Sequence, residues 1–343
     1  MLREVAHGIF LISQRKQTRL APFFVNLYVI GGENGLVFDA GMGGRKSGAY
    51  LARQIRIIEK RMRERGETCR ITRVLPSHGH WDHFSGVEYL RKTLGLKVLA
   101  TPKLQQTILT KQQYRDSLRR ETRLIQTPVS RFRKSLYRLT HWLRDELFSQ
   151  AFKVAYVTGP VDTISDQAVF SINNETWHLM EMPGHCDDDI VLFNRSRGIL
   201  LCGDIVLRSV NTWIGPPRSD LALYMDSLKK IRALKGLTLI LPAHGSPIDQ
   251  PYERLDQALE HRRKRTREVQ TLVRGAGDRG IDFNTLFKTI YPSCSFQDRI
   301  ITRGWILLTL KYLMDRDCIA SRTEGGRVLF FPAAKIDTSP EAS

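Results

Sequence analysis

Cysteine is scarce in this chain: five among 343 residues, at 69, 186, 202, 294 and 318, with no Cys-x-x-Cys pair. An odd, scattered set excludes a disulfide framework and a thiolate zinc finger. No apolar run approaches the roughly 18 residues that a bilayer crossing needs. The stretch from Met1 to Gln14 lacks the basic, apolar, small-residue order of a signal peptide, so the expected location is the cytoplasm. Internal repeats and low-complexity tracts are also missing. Acidic residues are outnumbered, 35 against 53 Lys and Arg, for a net charge of +18. What is present, 42% hydrophobic and 9% aromatic residues, suffices for a full core and excludes bulk disorder. The length suits one large or two smaller domains.

The positive charge is unevenly placed. Residues 45–65 hold 8 bases and 2 acids, residues 102–153 hold 12 and 4, and residues 252–330 hold 15 and 10, so the remainder is close to neutral. Phe24 to Ile30 and Leu36 to Phe38 read as a hairpin turned at 31–35. A helix with Leu51, Ile55, Ile58 and Met62 on one side runs to Gly66, and a strand at 71–75 follows. A helix from near His83 to Leu94 and a strand at 97–100 continue the alternation of a layered α/β fold. Residues 102–153 break the rhythm as a basic helical insertion. Strands are expected at 168–172, 176–182, 190–193, 199–202 and 237–241, with a helix at 220–234 between the last two. A long helix at 253–274 closes at Gly275-Ala276-Gly277, where a domain boundary is expected. Two helices and a strand pair turned by Gly325-Gly326 then follow in the order of a winged-helix module.

The chemistry concentrates at 77–83, which reads Ser-His-Gly-His-Trp-Asp-His between a strand and a helix. The helix dipole accounts for an aspartate near an N-terminus, but not for three histidines. Neutral imidazoles with a carboxylate suit Zn²⁺ or a similar cation, with Mn²⁺ and Fe²⁺ also accepted. Pro183-Gly184-His185, Cys202-Gly203-Asp204 and Leu241-Pro242-Ala243-His244-Gly245 each follow a strand.

In these motifs and their order the chain resembles the metallo-β-lactamase superfamily. The resemblance covers about residues 5–250 and implies an α/β, four-layer αββα metallo-β-lactamase fold, here with the basic helical insertion and a C-terminal winged-helix-like domain. The expected organisation is a catalytic domain at 1–250, a linking helix at 251–275, the winged-helix-like domain at 276–333 and a tail at 334–343. Carried over position by position, the resemblance implies His78, His80 and His185 on one metal, Asp82, His83 and His244 on a second, and Asp204 bridging. Asp39, in Asp-Ala-Gly, is expected to support the ligands from behind. Two zinc ions so held imply hydrolysis by a metal-bridging hydroxide that Asp82 orients. Cys186 departs from the Thr or Ser usual after this histidine. Asp187-Asp188-Asp189 reads either as a capped turn or as a group that repels very anionic substrates.

The tail, the Asp187-Asp188 pair and Tyr224-Met225-Asp226-Ser227-Leu228 resemble the branch holding a mitochondrial lactamase-like endoribonuclease and fungal polyketide-releasing thioesterases. Three functions follow as expectations. The first is hydrolysis of a thioester or ester of an anionic carrier of CoA or glutathione type. Here an amphipathic helix with Phe132, Leu136, Leu139, Leu143, Leu147 and Phe148 serves as a lid or as a contact with an anionic membrane surface. Arg131, Arg133, Lys134 and Arg138 on it are the candidate substrate contacts; the alternative is an ordinary helix packing on the core. The second is an endoribonuclease for single-stranded RNA, favoured by the charge. The third is a non-catalytic DNA-binding regulator. Oligomeric state is open in all three.

Overall fold

The structure is a computed structural model that describes residues 2–17, 22–119, 146–147, 149–293 and 296–333. Two series of strands build the two sheets. Strands β1 (Leu2–Ala6), β2 (Ile9–Gln17), β3 (Pro22–Ile30), β4 (Gly35–Phe38), β5 (Ile71–Leu75), β6 (Lys97–Ala100) and β7 (Asp162–Thr163) form a seven-stranded sheet in chain order. The first four pair antiparallel and the rest parallel. Strands β8 (Val169–Ile172), β9 (Glu175–Glu181), β10 (Ile190–Asn194), β11 (Ile199–Gly203) and β12 (Leu239–Pro242) form a second sheet in the order β12-β11-β10-β9-β8.

Both faces of each sheet are covered, which is why β3, β10 and β11 read as near-continuous apolar runs. The period of two assigns alternate residues to two cores. Val25, Leu27 and Val29 of β3 face helices, whereas Tyr28 and Ile30 face the other sheet. Val191 and Phe193 of β10 face the opposite helical layer, and Ile190 and Leu192 face inward. The result is the four-layer αββα sandwich.

The first helical layer holds α1 (Arg45–Glu64), α2 (Trp81–Phe84), α3 (Val87–Leu94), α4 (Pro102–Ile108) and α5 (Lys111–Arg119). In α1, Leu51, Ala52, Ile55, Ile58 and Met62 are buried, and each large one contributes about 1.5–3 kcal/mol of transfer energy. The second layer holds α6 (Leu221–Arg232) and α7 (Pro251–Ala276). Beyond α7 come β13 (Ile281–Asp282), α8 (Phe283–Ile290), α9 (Phe296–Met314) and the hairpin β14 (Ile319–Glu324) with β15 (Arg327–Pro332). These last strands form a small sheet ordered β13-β15-β14. One continuous apolar cluster joins Val191 and Leu200 of the sandwich to Leu286, Trp305, Ile306 and Phe330 of this C-terminal segment.

Sequence and structure differ in places. β1 and β2 precede the expected opening hairpin; Gln14, Arg15 and Lys16 interrupt the apolar alternation of β2 and hide it. The helix expected from His83 is two pieces, α2 and α3, parted at Ser85-Gly86. A side chain at Gly86 would meet the Ala40 carbonyl oxygen at 1.9 Å, so the break fits the chain around the 39–41 loop. Of the basic insertion, α4 and α5 are described; most of the residues expected to form its amphipathic helix, with Arg131, Arg133, Lys134 and Arg138, lie outside the described residues. Among the described residues no helix is long and apolar enough to cross a membrane.

Gly304 of α9 tests the docking of the C-terminal segment. A Cβ there would lie 2.8 Å from Gly215 Cα and 3.2 Å from the Ile214 carbonyl oxygen, whereas one at Gly275 meets nothing. Gly304→Val is expected to cost about 1–3 kcal/mol by overpacking. Gly275→Ala, inside α7, is expected to gain about 0.5–1 kcal/mol. Urea denaturation of the two variants checks both signs.

Candidate metal centre

The loops after β4, β5, β9, β11 and β12 gather at one edge of the sandwich, because those five strands run in the same sense within their sheets. They carry Asp39, then His78 to His83, His185, Asp204 and His244. All seven residues expected as ligands meet there. His80 Nδ1 lies 2.9 Å from His78 Nε2 and 3.1 Å from His185 Nε2. Asp204 lies between this trio and the rest: its carboxylate oxygens are 3.7 Å from His185 Nε2, 3.6 Å from His83 Nε2 and 3.4 Å from His244 Nε2. Asp82 is 3.5 Å from His244 Nε2 and 3.9 Å from His83 Nε2.

Which nitrogen each ring presents is fixed from behind. His83 Nδ1 donates to Asp39 Oδ2 at 2.9 Å, His185 Nδ1 to the Trp213 carbonyl at 2.7 Å, and His244 Nδ1 to the Phe24 carbonyl at 2.5 Å. Carboxylate and carbonyl oxygens only accept, so each ring turns its Nε2 toward the cluster. Asp39 also accepts from Ser77 N at 2.6 Å and Ser77 Oγ at 3.1 Å. It adopts φ +68°, a left-handed conformation that aspartate tolerates.

The cluster's atoms fit a cation. His83 Nε2 and Asp204 Oδ1 are buried and have no hydrogen-bond partner among the described residues, a costly state unless something positive sits between them. Three sets of ligand atoms lie within 4.8 Å of one another: His78, His80, His185 and Cys186; His78, His83 and Asp204; and Asp82, His83 and His244. Cys186 Sγ lies 3.3 Å from His80 Nε2, on the far side of the ring from Nδ1.

Charge divides the cluster in two. Burial, together with neighbouring imidazoles, lowers the pKa of His78, His80 and His185, which keeps them neutral. Burial also opposes charge on His244, but Asp204 and Asp82 outweigh it and raise the pKa to about 10. His83 is raised likewise, against burial, by Asp39, Asp204 and Asp82. Burial would raise the pKa of Asp82, but His83 and His244 hold it down at about 2. Without a metal, protons on His83 and His244 neutralise the carboxylates.

Residues beyond the expected ligands hold the loops, some of them unmarked in the sequence. Asn26 Nδ2 donates to the Gly245 carbonyl at 2.6 Å and Tyr28 OH to the Pro242 carbonyl at 2.9 Å, fixing the His244 loop. Arg218 bonds Asp187 Oδ1 at 2.8 Å and Asp188 Oδ1 at 2.5 Å, and Asp189 Oδ2 accepts the Cys186 N–H at 2.5 Å. The triple acid is thus a capped and charge-paired turn. A Cβ on Gly184 would approach Tyr224 Cα to 2.2 Å, and Ser227 Oγ donates to the Pro183 carbonyl at 2.7 Å. The Tyr-Met-Asp-Ser-Leu stretch therefore braces the His185 loop. From α7, Arg262 donates to the Thr212 carbonyl and Arg254 to the Val210 carbonyl, securing the loop that holds His185. Arg262 falls in the His261-Arg262 step of the basic run on this helix, and Arg254 carries no local mark.

A two-sheet sandwich with histidines and carboxylates converging at one edge defines a class, the metallo-hydrolases of this architecture. The chain belongs to the metallo-beta-lactamase superfamily, whose family profile it matches over residues 20–244. It is similar to the probable metallo-hydrolase YqjP of Bacillus subtilis, 27% identical over 46% of this chain and 50% of that protein. A beta-lactamase-like protein 2 homolog of Caenorhabditis elegans is 36% identical over 44% and 48%. An atrochrysone carboxyl ACP thioesterase of Aspergillus fumigatus is 29% identical over 40% and 47%. The chain thus spans about half the length of the curated relatives it matches. Among solved structures, a beta-lactamase domain protein from Burkholderia ambifaria gives a TM-score of 0.72 at 18% identity, covering 97% of this chain and 93% of that one. A metallo-beta-lactamase family protein from Thermus thermophilus gives 0.68 at 19%, covering 96% and 100%.

Metal uptake must displace the proton on His244. Its pKa of about 10 lies above the ordinary 6.5, so the proton is present at pH 7 and is lost only as pH rises through about 10. Calorimetric zinc titration at pH 7, in buffers of different ionisation enthalpy, is expected to release at least one proton per protein. Release of none would show that His244 is already neutral.

Proposed function

We propose that the chain is a dinuclear zinc hydrolase acting on a thioester, or ester, of an anionic carrier. The observation that supports two metals is that Asp204 stands between two groups of converging ligand atoms, with His83 Nε2 and its own Oδ1 left without a hydrogen bond among the described residues. His78 Nε2, His80 Nδ1 and His185 Nε2 would hold one cation; Asp82, His83 and His244 would hold the other, with Asp204 shared. An imidazole-rich set with Cys186 Sγ beside it suits zinc. When bound, such a pair supplies Lewis acidity and lowers the pKa of a shared water.

The chain's own residues do the rest. Asp82, kept ionised by its neighbours, accepts a hydrogen bond from the attacking water and orients it. Asp39 and the Trp213 and Phe24 carbonyls hold three imidazoles in the tautomer that leaves Nε2 free. A thiol ionises at about 8.5, so a thiolate leaves with less help from an acid than an alkoxide requires. The thioester reading draws further support from the relative named as an ACP thioesterase. Residues 276–333 would then form a winged-helix-like domain that follows the linking helix and packs on the catalytic domain. The second reading, cleavage of single-stranded RNA, is favoured by the +18 charge.

The zinc-loaded protein is expected to hydrolyse acyl-CoA or acylglutathione thioesters, with Asp82→Ala lowering kcat by about 10²-fold or more. A fluorescent single-stranded RNA assayed in parallel is expected to stay intact. RNA cleavage that falls steeply with salt, without thioester turnover, would overturn the ordering.

A further inference from the structure

The charge that the metal centre does not use has a definite place on α1. Lys46, Arg53, Arg56, Lys60 and Arg63 are all exposed. Their spacings of 7, 3, 4 and 3 residues put them on one face, opposite the buried Leu51, Ile55, Ile58 and Met62. At 1.5 Å per residue this row runs about 26 Å. Of the two acids in α1, Glu64 lies 3.6 Å from Lys60, and Glu59 is turned away to accept the Ile71 N–H at 2.9 Å. A solvated helix face ordinarily mixes signs, because like charges three and four residues apart repel; here five bases share the face with a single acid, Glu64.

The start of α1 is unfavourably charged for a helix N-terminus. α1 opens with Arg45 and Lys46, has no acidic residue in its first turn, and has Gly44 at its cap with no side-chain hydrogen bond. Two cations at the positive end of a helix dipole, without a cap, cost stability that a negative partner would restore. Lys153, also exposed, packs against Gly43 and Gly44. This end continues directly from the 39–44 loop, in which Asp39 holds His83.

We propose that the outer face of α1 is the docking surface for an acidic carrier protein that presents the thioester to the metal centre on a tether. The proposal rests on the thioester reading above and gives the carrier a place. The row begins where the loop carrying Asp39 ends and leads away along α1, so a protein bound along it would keep its tether's anchor on the side of that loop while its body extends away from it. Charge complementarity of this kind acts on encounter rate and orientation, and it weakens with salt.

The test uses the full chain, zinc-loaded, and a fluorophore-labelled acyl carrier protein in its phosphopantetheinylated form. Wild-type protein is compared with the triple variant Arg53→Glu, Arg56→Glu, Arg63→Glu, and with the neutral Arg53→Gln, Arg56→Gln, Arg63→Gln. The expected result is at least tenfold weaker carrier binding for the Glu variant, an intermediate loss for the Gln variant, and loss of the difference at high salt. The value of kcat/KM falls in parallel on an acyl thioester held by the carrier protein and stays unchanged on the same acyl group held by N-acetylcysteamine. Equal carrier binding by all three proteins, or none by the wild type, overturns the proposal. So does an effect confined to a single-stranded RNA 20-mer or to anionic vesicles, which would assign the face to those partners. Carrier binding that follows the charge, with no thioester hydrolysed, leaves the docking surface standing and removes the thioester reading instead.

Discussion

A neutral imidazole has one N–H and one lone pair, so whatever takes the N–H decides where the lone pair points. At this sandwich edge the Asp39 carboxylate, the Trp213 carbonyl and the Phe24 carbonyl take the Nδ1 protons of His83, His185 and His244. Those three acceptors come from the loop after β4, the loop after β11 and strand β3, and so from both sheets. The site therefore depends on the register between the sheets: the Ile190 N–H to Ser77 carbonyl bond at 2.9 Å and the Asn26 N–H to Ala243 carbonyl bond at 2.7 Å tie them directly. Outer partners of this kind set both the orientation and the basicity of metal-binding histidines.

The same dependence reaches the C-terminal segment. Thr212 Oγ1 donates to the Asp204 carbonyl at 2.8 Å, its own carbonyl accepts from the buried Arg262, and the next residue holds His185. Arg262 sits on α7, and Gly304 of α9 presses on Gly215 in the same loop. A loop carrying an exposed Trp213 would otherwise be free to move. Here the long helix and the segment after it brace the loop, which gives residues beyond 250 a stake in the metal centre without touching it.

The four motif stations were legible in the sequence because metal chemistry needs particular side chains, and three histidines within six residues serve little else. The sandwich was legible for a related reason: buried strands must be apolar, and ligand-bearing loops must follow them. β2 was not, since Gln14 turns inward to accept from Met42 N and nothing in its identity says so. The meaning of Asp187-Asp188-Asp189 was open until Arg218, some thirty residues on, was found bonded to the first two. Anchoring by the Trp213 and Phe24 carbonyls leaves no trace in composition, because any residue supplies a carbonyl. The net charge and the basic side of the helix at 45–65 were legible too, because the spacing of Leu51, Ile55, Ile58 and Met62 leaves the Arg and Lys on the other side.

The central claim is that two metal ions occupy the cluster and share Asp204. Anomalous diffraction from crystals of the zinc-loaded protein, collected above and below the zinc edge, tests it most directly. The expected result is two peaks, one bounded by His78 Nε2, His80 Nδ1 and His185 Nε2 and the other by Asp82, His83 and His244, with the Asp204 carboxylate between them. A single peak, or two peaks with Asp204 turned away from both, would contradict it.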